Sequence, residues 1–250
     1  MEDTRIIRLA ESVIAAEYPK LELKETIGIF VDEQDREIKV WVVDGAYVRT
    51  FIDEEFSNFG QHYRFSFIPE DEFWLDKEHV CDESEYFIEH LKVEWLLMHQ
   101  GKSYYDAITE ASKVEREMRR KDGDIQRVIN PVTKLVDPKL FRVKLLKALD
   151  NGVKVWLVNG CLVRSVLNID FVQGGHEYVY SWVPPMDVWI DNDIDWTERG
   201  FVILHELHER NKMEDGMSYS QAHEESSSLE LKCRRHVDEL QDALIEEGWS

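Results

Sequence analysis

Apolar and polar residues alternate over 38–43 and again over 46–52, and the two runs flank Asp44-Gly45, a dipeptide that favours a type I′ hairpin turn. The arrangement returns around Asn159-Gly160, and Asp150-Asn151-Gly152 reads as a further tight turn before a strand that begins at Val153. Tyr63-x-Phe65-x-Phe67 and Tyr178-x-Tyr180-x-Trp182 alternate with period two, each followed by a proline, and predict strands. Phe73-Trp74-Leu75 and Val188-Trp189-Ile190 predict short edge strands. Helical spacing then takes over at 83–99 and 197–213, with Gly101 and Gly216 as stops. Ser103 and Ser218 are candidate N-caps for second helices, and Ser218-Tyr219-Ser220-Gln221 fits a capping box. The first of these helices is expected to run to about 120, the other past Arg235 toward 247. A separate amphipathic helix is expected over 5–17, and 121–138, with Asp122-Gly123, Asn130-Pro131 and Asp137-Pro138, reads as the connector.

These signals recur because the chain is duplicated. Displaced by 115 residues, 14 of the 39 positions over 38–76 are identical to 153–191, and 14 of the 38 over 83–120 are identical to 198–235. The expected fold is therefore α+β, a tandem duplication of an antiparallel β-meander followed by a two-helix hairpin. Residues 1–21 would form an N-terminal helix, 22–122 the first repeat, 123–136 a linker, and 137–250 the second repeat with a C-terminal helix extension.

Composition narrows the function classes. The 250 residues carry 51 acidic and 30 basic side chains, a formal charge of -21. Such a surface repels phosphate backbones and anionic lipid, so neither direct nucleic-acid nor membrane binding is expected, whereas a basic protein partner would be attracted. Three cysteines without C-x-x-C spacing fit a reducing compartment, and no basic n-region or long apolar run is visible, so a cytoplasmic, non-secreted protein is expected.

The stretch with most chemistry is Leu204-His205-Glu206-Leu207-His208-Glu209, followed by His223 and Glu230. His205 and Glu209 are four apart and share a helix face, and the turn at Asp215-Gly216 returns the chain so that His223 can meet that face. His223 and Glu230, seven apart, share a face of their own. Imidazole and carboxylate suit zinc and other borderline divalent ions. His205, Glu209 and His223 are the candidate metal ligands, with Glu230 as a further ligand or a group behind one. His208 reads as facing solvent or standing behind a ligand.

The pattern resembles the zincin metallopeptidases, which carry H-E-x-x-H on one helix and a third ligand on a later one. His205 matches the first ligand and Glu206 the residue that activates bound water. Glu209 stands in place of the second histidine, and His223 where some zincins have a glutamate. His205 through Met213, Gly216, Tyr219 and Ala222-His223 also resembles uncharacterised phage and prophage proteins that hold a single such unit. The resemblance covers the second repeat. That of the phage proteins implies a metal-site-like fold without naming an activity, and the zincin-like residues imply a zinc-dependent hydrolase or peptidase with Glu206 as the catalytic residue. The first repeat keeps His90, Glu94 and Glu115 but has Leu91 for Glu206 and Ile108 for His223, as a copy that had lost its site would.

Two other readings fit the same residues. His205 and Glu209 can simply hydrogen-bond along a helix face, and Glu115 and Glu230 can accept from recurring arginines such as Arg49 and Arg164. The whole chain can also be a non-catalytic acidic interaction protein, such as a phage-encoded inhibitor, a virion component or a DNA mimic, presenting two similar modules. Gly174-Gly175 reads as a turn, because no phosphate-binding glycine pattern surrounds it.

Overall fold

A computed structural model describes residues 29–31, 37–78, 80–121 and 124–249. The helix expected over 5–17 lies outside them. The chain divides into two compact units, Met1–Met118 and Arg119–Ser250. The α+β class holds: each unit has one small sheet with helices packed on it.

In the first unit the elements are β1 (Ile29–Val31), β2 (Glu37–Val43), α1 (Gly45–Phe51), β3 (Phe59–Gln61), β4 (Glu72–Asp76), α2 (Val80–His99) and α3 (Tyr104–Lys121). The second unit repeats them as β5 (Arg142–Ala148), β6 (Lys154–Val158), α4 (Gly160–Val166), β7 (Gly174–His176), β8 (Asp187–Asp191), α5 (Arg199–Glu214) and α6 (Tyr219–Arg235), then adds α7 (Leu240–Glu246). Sheet orders are β1-β2-β4-β3 and β5-β6-β8-β7.

The sheets are mixed, not antiparallel meanders. β2 runs parallel to β4 and β6 parallel to β8, with antiparallel strands outside them. The expected hairpin at Asp44-Gly45 is instead the start of a helix. Asp44 caps α1 by accepting from the Tyr47 N–H at 3.2 Å, and Asn159 caps α4 by accepting from Leu162 N–H at 2.8 Å. Aspartate and asparagine serve as turn and as N-cap residues alike, so the dipeptide cannot separate the two. The glycine is needed for close approach: a Cβ on Gly45 would lie 1.8 Å from the Asp76 carboxylate, and one on Gly160 2.0 Å from that of Asp191. Those carboxylates hold the recurring arginines, Arg49 on Asp76 and Arg164 on Asp191, each at 2.6 Å and buried. The arginines are thus committed to these buried carboxylates; the arginine on Glu230 is Arg234, at 2.8 Å.

Phe73-Trp74-Leu75 and Val188-Trp189-Ile190 are central strands, buried on both faces, which is what an unbroken apolar run signifies. One face of the first sheet packs Phe73 and Leu75 against Phe87, Leu91 and Trp95 of α2; the other packs Trp74 against Val48 of α1 and Phe56. The Tyr63–Phe67 and Tyr178–Trp182 stretches are turns whose aromatic rings fold back on the sheet, not strands. Gly174-Gly175 is in strand β7, not a turn.

The tight turn at Asn151-Gly152 forms as expected, with Gly152 at φ 92°. Gly101 and Gly216, at φ 84° and 94°, terminate α2 and α5. Ser103 caps α3 by accepting from Asp106 N–H, whereas the Ser218 hydroxyl donates to the Gln221 side chain and leaves the α6 amides uncapped by it. The C-terminal extension is not continuous: α6 ends at Arg235, and a single 3-10 turn precedes α7. Within 123–136, Val128 is buried with Phe141 and Trp189 in the second unit's core.

Candidate metal centre

Helix α5 places His205, Glu206 and Glu209 on its inner side, where it packs on β7 and β8. Gly216 reverses the chain, and α6 brings back His223 in its second turn and Glu230 two turns later. The sequence argument therefore assembles: His205, Glu206, Glu209, His223 and Glu230 all reach one cluster. A sixth member, His176 on β7, is fully buried and belongs to it as well.

Glu209 is the hub. Its Oε1 lies 2.9 Å from His176 Nε2; its Oε2 lies 2.7 Å from His223 Nδ1 and 3.7 Å from His205 Nε2. His205 Nε2 is in turn 3.2 Å from His223 Nδ1. Behind His205, Glu230 Oε2 meets Nδ1 at 2.8 Å. A carboxylate only accepts, so this contact keeps a proton on Nδ1 and turns Nε2 toward Glu209 and His223. Arg234 holds Glu230 Oε1 at 2.8 Å and Glu198 at 2.7 Å, which fixes the carboxylate in turn. Glu230 thus stands behind a ligand. His208 faces away, its Nδ1 2.6 Å from Glu247.

Two sets of three side chains among the described residues could hold a metal ion: His205, Glu209 and His223, and His176, Glu206 and Glu209. In each, the ligand atoms lie within 4.8 Å of one another.

Charge is distributed unevenly across the cluster. Burial opposes ionisation of Glu209, but hydrogen bonds from three imidazoles outweigh it and hold the carboxyl well below the usual range. Burial likewise disfavours a charged His205, yet Glu209 and Glu230 keep its proton affinity well above the usual 6.5. Glu230, despite burial, is brought down to about 2 by His205 and Arg234. Glu206 goes the other way. It is 8% exposed, no donor reaches its carboxylate among the described residues, and burial followed by the charge of Glu209 pushes it up to about 8. The one carboxylate of the cluster without a hydrogen-bond partner is the residue adjoining His205 on the helix.

The first unit shows what the cluster is without its variable members. His90 Nδ1 meets Glu115 at 2.7 Å, His90 Nε2 meets Glu94 at 3.4 Å, and Gln61 Nε2 donates to Glu94 Oε1 at 2.5 Å. That frame is retained. Phe59, Leu91 and Ile108 occupy the places of Gly174, Glu206 and His223. Phe59 lies against His90, with ring centroids 5.0 Å apart, and packs with buried Leu91.

Sequence reasoning passed over His176 and read Gly174 only as part of a turn. Both are some thirty residues from the helix motif, in a strand whose pattern carries no metal spacing. The signal was the 115-residue offset itself, which pairs His176 with Gln61 and Gly174 with Phe59. No helix among the described residues is long and apolar enough to cross a membrane. No family model, curated protein or solved structure matches the chain.

Proposed function

We propose that the second unit is a metal-dependent hydrolase centre. One divalent ion, zinc in the first instance, is held by His205 Nε2, Glu209 Oε2 and His223 Nδ1, and the first unit is its non-catalytic copy. The observation that carries this reading is the convergence of those three atoms, within 4.8 Å of one another, beside a buried carboxylate that no donor reaches among the described residues. Two imidazoles and a carboxylate suit zinc, and such an ion would leave a fourth position for a water whose pKa it lowers to about 7.

The protein's own groups have separate tasks in that scheme. Glu230 and Arg234 keep His205 turned to the centre. Glu206, whose ionised form the charge of a bound ion would favour, would take the proton from the attacking water and return it to the leaving group. His223 is the ligand nearest solvent, its side chain 36% exposed, and marks the open side through which substrate enters. The zincin-like order of His205 and Glu206 points to an amide or peptide bond as the substrate class.

Elemental analysis of protein purified without chelator tests this, beside a His205→Ala/His223→Ala variant. About one equivalent of zinc or another transition metal, absent from the variant, is expected. No metal in either, and no change in melting on adding zinc, would overturn the reading in favour of a non-catalytic acidic interaction protein.

A further inference from the structure

Resting on that metal reading, we propose that His176 is a positioning residue of the centre and not a ligand: it donates from Nε2 to Glu209 Oε1 and so commits Glu209 Oε2 to the ion. The argument begins with the other nitrogen of the ring. The backbone N–H of Tyr178 lies 3.3 Å from His176 Nδ1. An amide can only donate there, so Nδ1 bears the lone pair and the ring's proton sits on Nε2. Nε2 is 2.9 Å from Glu209 Oε1 and points its N–H at that oxygen.

The duplication supplies an independent observation. In the first unit the same place is taken by Gln61, whose Oε1 accepts from Tyr63 N–H at 2.8 Å and whose Nε2 donates to Glu94 Oε1 at 2.5 Å. A glutamine amide reproduces one tautomer of histidine and no other: acceptor toward the backbone, donor toward the carboxylate. That this pair of bonds persists in the copy without Glu206 and His223 shows that the position orients the glutamate whether or not an ion is held.

The rival arrangement is a second ion shared through Glu209, with His176 and Glu206 as its other ligands. It requires the lone pair on Nε2, hence a proton on Nδ1 facing the Tyr178 N–H, two donors nose to nose in a fully buried site. The hydrogen bonding of His176 therefore assigns one ion to the cluster. Groups behind metal ligands characteristically change affinity by about 10- to 100-fold when removed.

The test uses the full chain as wild type, His176→Leu and His176→Gln, with zinc affinity read by chelator competition and the donor set by the visible spectrum of the cobalt(II) form. Circular dichroism checks that each is folded. The wild type is expected to bind one equivalent. His176→Leu should bind about 10- to 100-fold more weakly, and His176→Gln should recover most of that loss with an unaltered cobalt spectrum. Should the leucine variant not fold, the comparison of glutamine with wild type decides alone. A glutamine variant with weakened binding and a changed spectrum, or a wild type with two equivalents of which that variant loses one, would make His176 a ligand and overturn the proposal while leaving the metal reading intact. A wild type that binds no metal overturns the metal reading itself.

Discussion

The carboxylate of Glu206 occupies the space that a side chain on Gly174 would need: a Cβ there would lie 2.8 Å from both Cγ and Oε1 of Glu206. In the first unit Phe59 and Leu91 take these places, so the strand position is large where the helix position is apolar and empty where it is acidic. The clash at Cγ cannot be relieved by rotating the carboxylate alone. Gly174→Ala is expected to destabilise the protein by about 1–3 kcal/mol, and the same substitution in a Glu206→Ala background should cost less. Denaturant unfolding of the four proteins of this cycle measures the coupling, and additivity within about 0.5 kcal/mol would contradict the fit.

The same comparison predicts a gain of function. If the first unit already contains the orienting frame of His90, Glu94, Glu115 and Gln61, then Phe59→Gly, Leu91→Glu and Ile108→His together should add a second equivalent of zinc to the full chain. Gln61 is left in place, because its two hydrogen bonds already do what His176 does. Metal titration of the triple variant in a His205→Ala/His223→Ala background isolates the new site. Failure to bind, with the fold retained, would mean that the frame does not preorganise a metal centre.

Glu206 separates catalysis from binding and from stability. Glu206→Gln should retain the metal and lose hydrolytic activity by at least about 100-fold. Its effect on the chelated protein follows from linkage. A carboxyl raised to about 8 contributes stability that is fully present below about 4.5 and lost as pH rises through about 8. The neutral amide escapes that loss, so at pH 8.5 the chelated variant should be more stable than chelated wild type by about 5 kcal/mol. Equal unfolding midpoints at pH 8.5 would mean that Glu206 is not held in a desolvated state.

Much of this was legible in the chain, and what was not has identifiable causes. The duplication, the paired helices and their glycine stops follow from repetition and period, and His205, Glu209, His223 and Glu230 were placed together by helix spacing and one turn. The α1 helix was read as a strand because seven residues between two turns barely distinguish the two periods, and Asp44-Gly45 satisfies both a hairpin and a cap. Parallel pairing of β2 with β4 depends on contacts between residues thirty-three apart, such as Val40 with Phe73, which no local pattern records. Phe73-Trp74-Leu75 was read as an edge strand for its shortness, although an unbroken apolar run signifies a strand buried on both faces, which is where it lies. His176 was invisible for a different reason: its role depends on which ring nitrogen meets a backbone amide.

The first unit keeps a buried imidazole between two carboxylates. Burial disfavours the charged form of His90, but Glu115 and Glu94 outweigh it and raise the imidazole to about 9. With its side chain 5% exposed, solvent screens little of that attraction. A raised histidine stabilises the folded state fully below about 6.5, and the contribution is lost as pH climbs through about 9. The loss across that window should be about 3 kcal/mol. NMR titration of the His90 Cε1 proton should give a midpoint near 9, and urea unfolding from pH 6 to 10 should show wild type losing stability that a His90→Gln variant does not lose. A midpoint close to 6.5 would mean that Glu94 and Glu115 leave His90 unassisted, and the retained frame would then owe nothing to ion pairing.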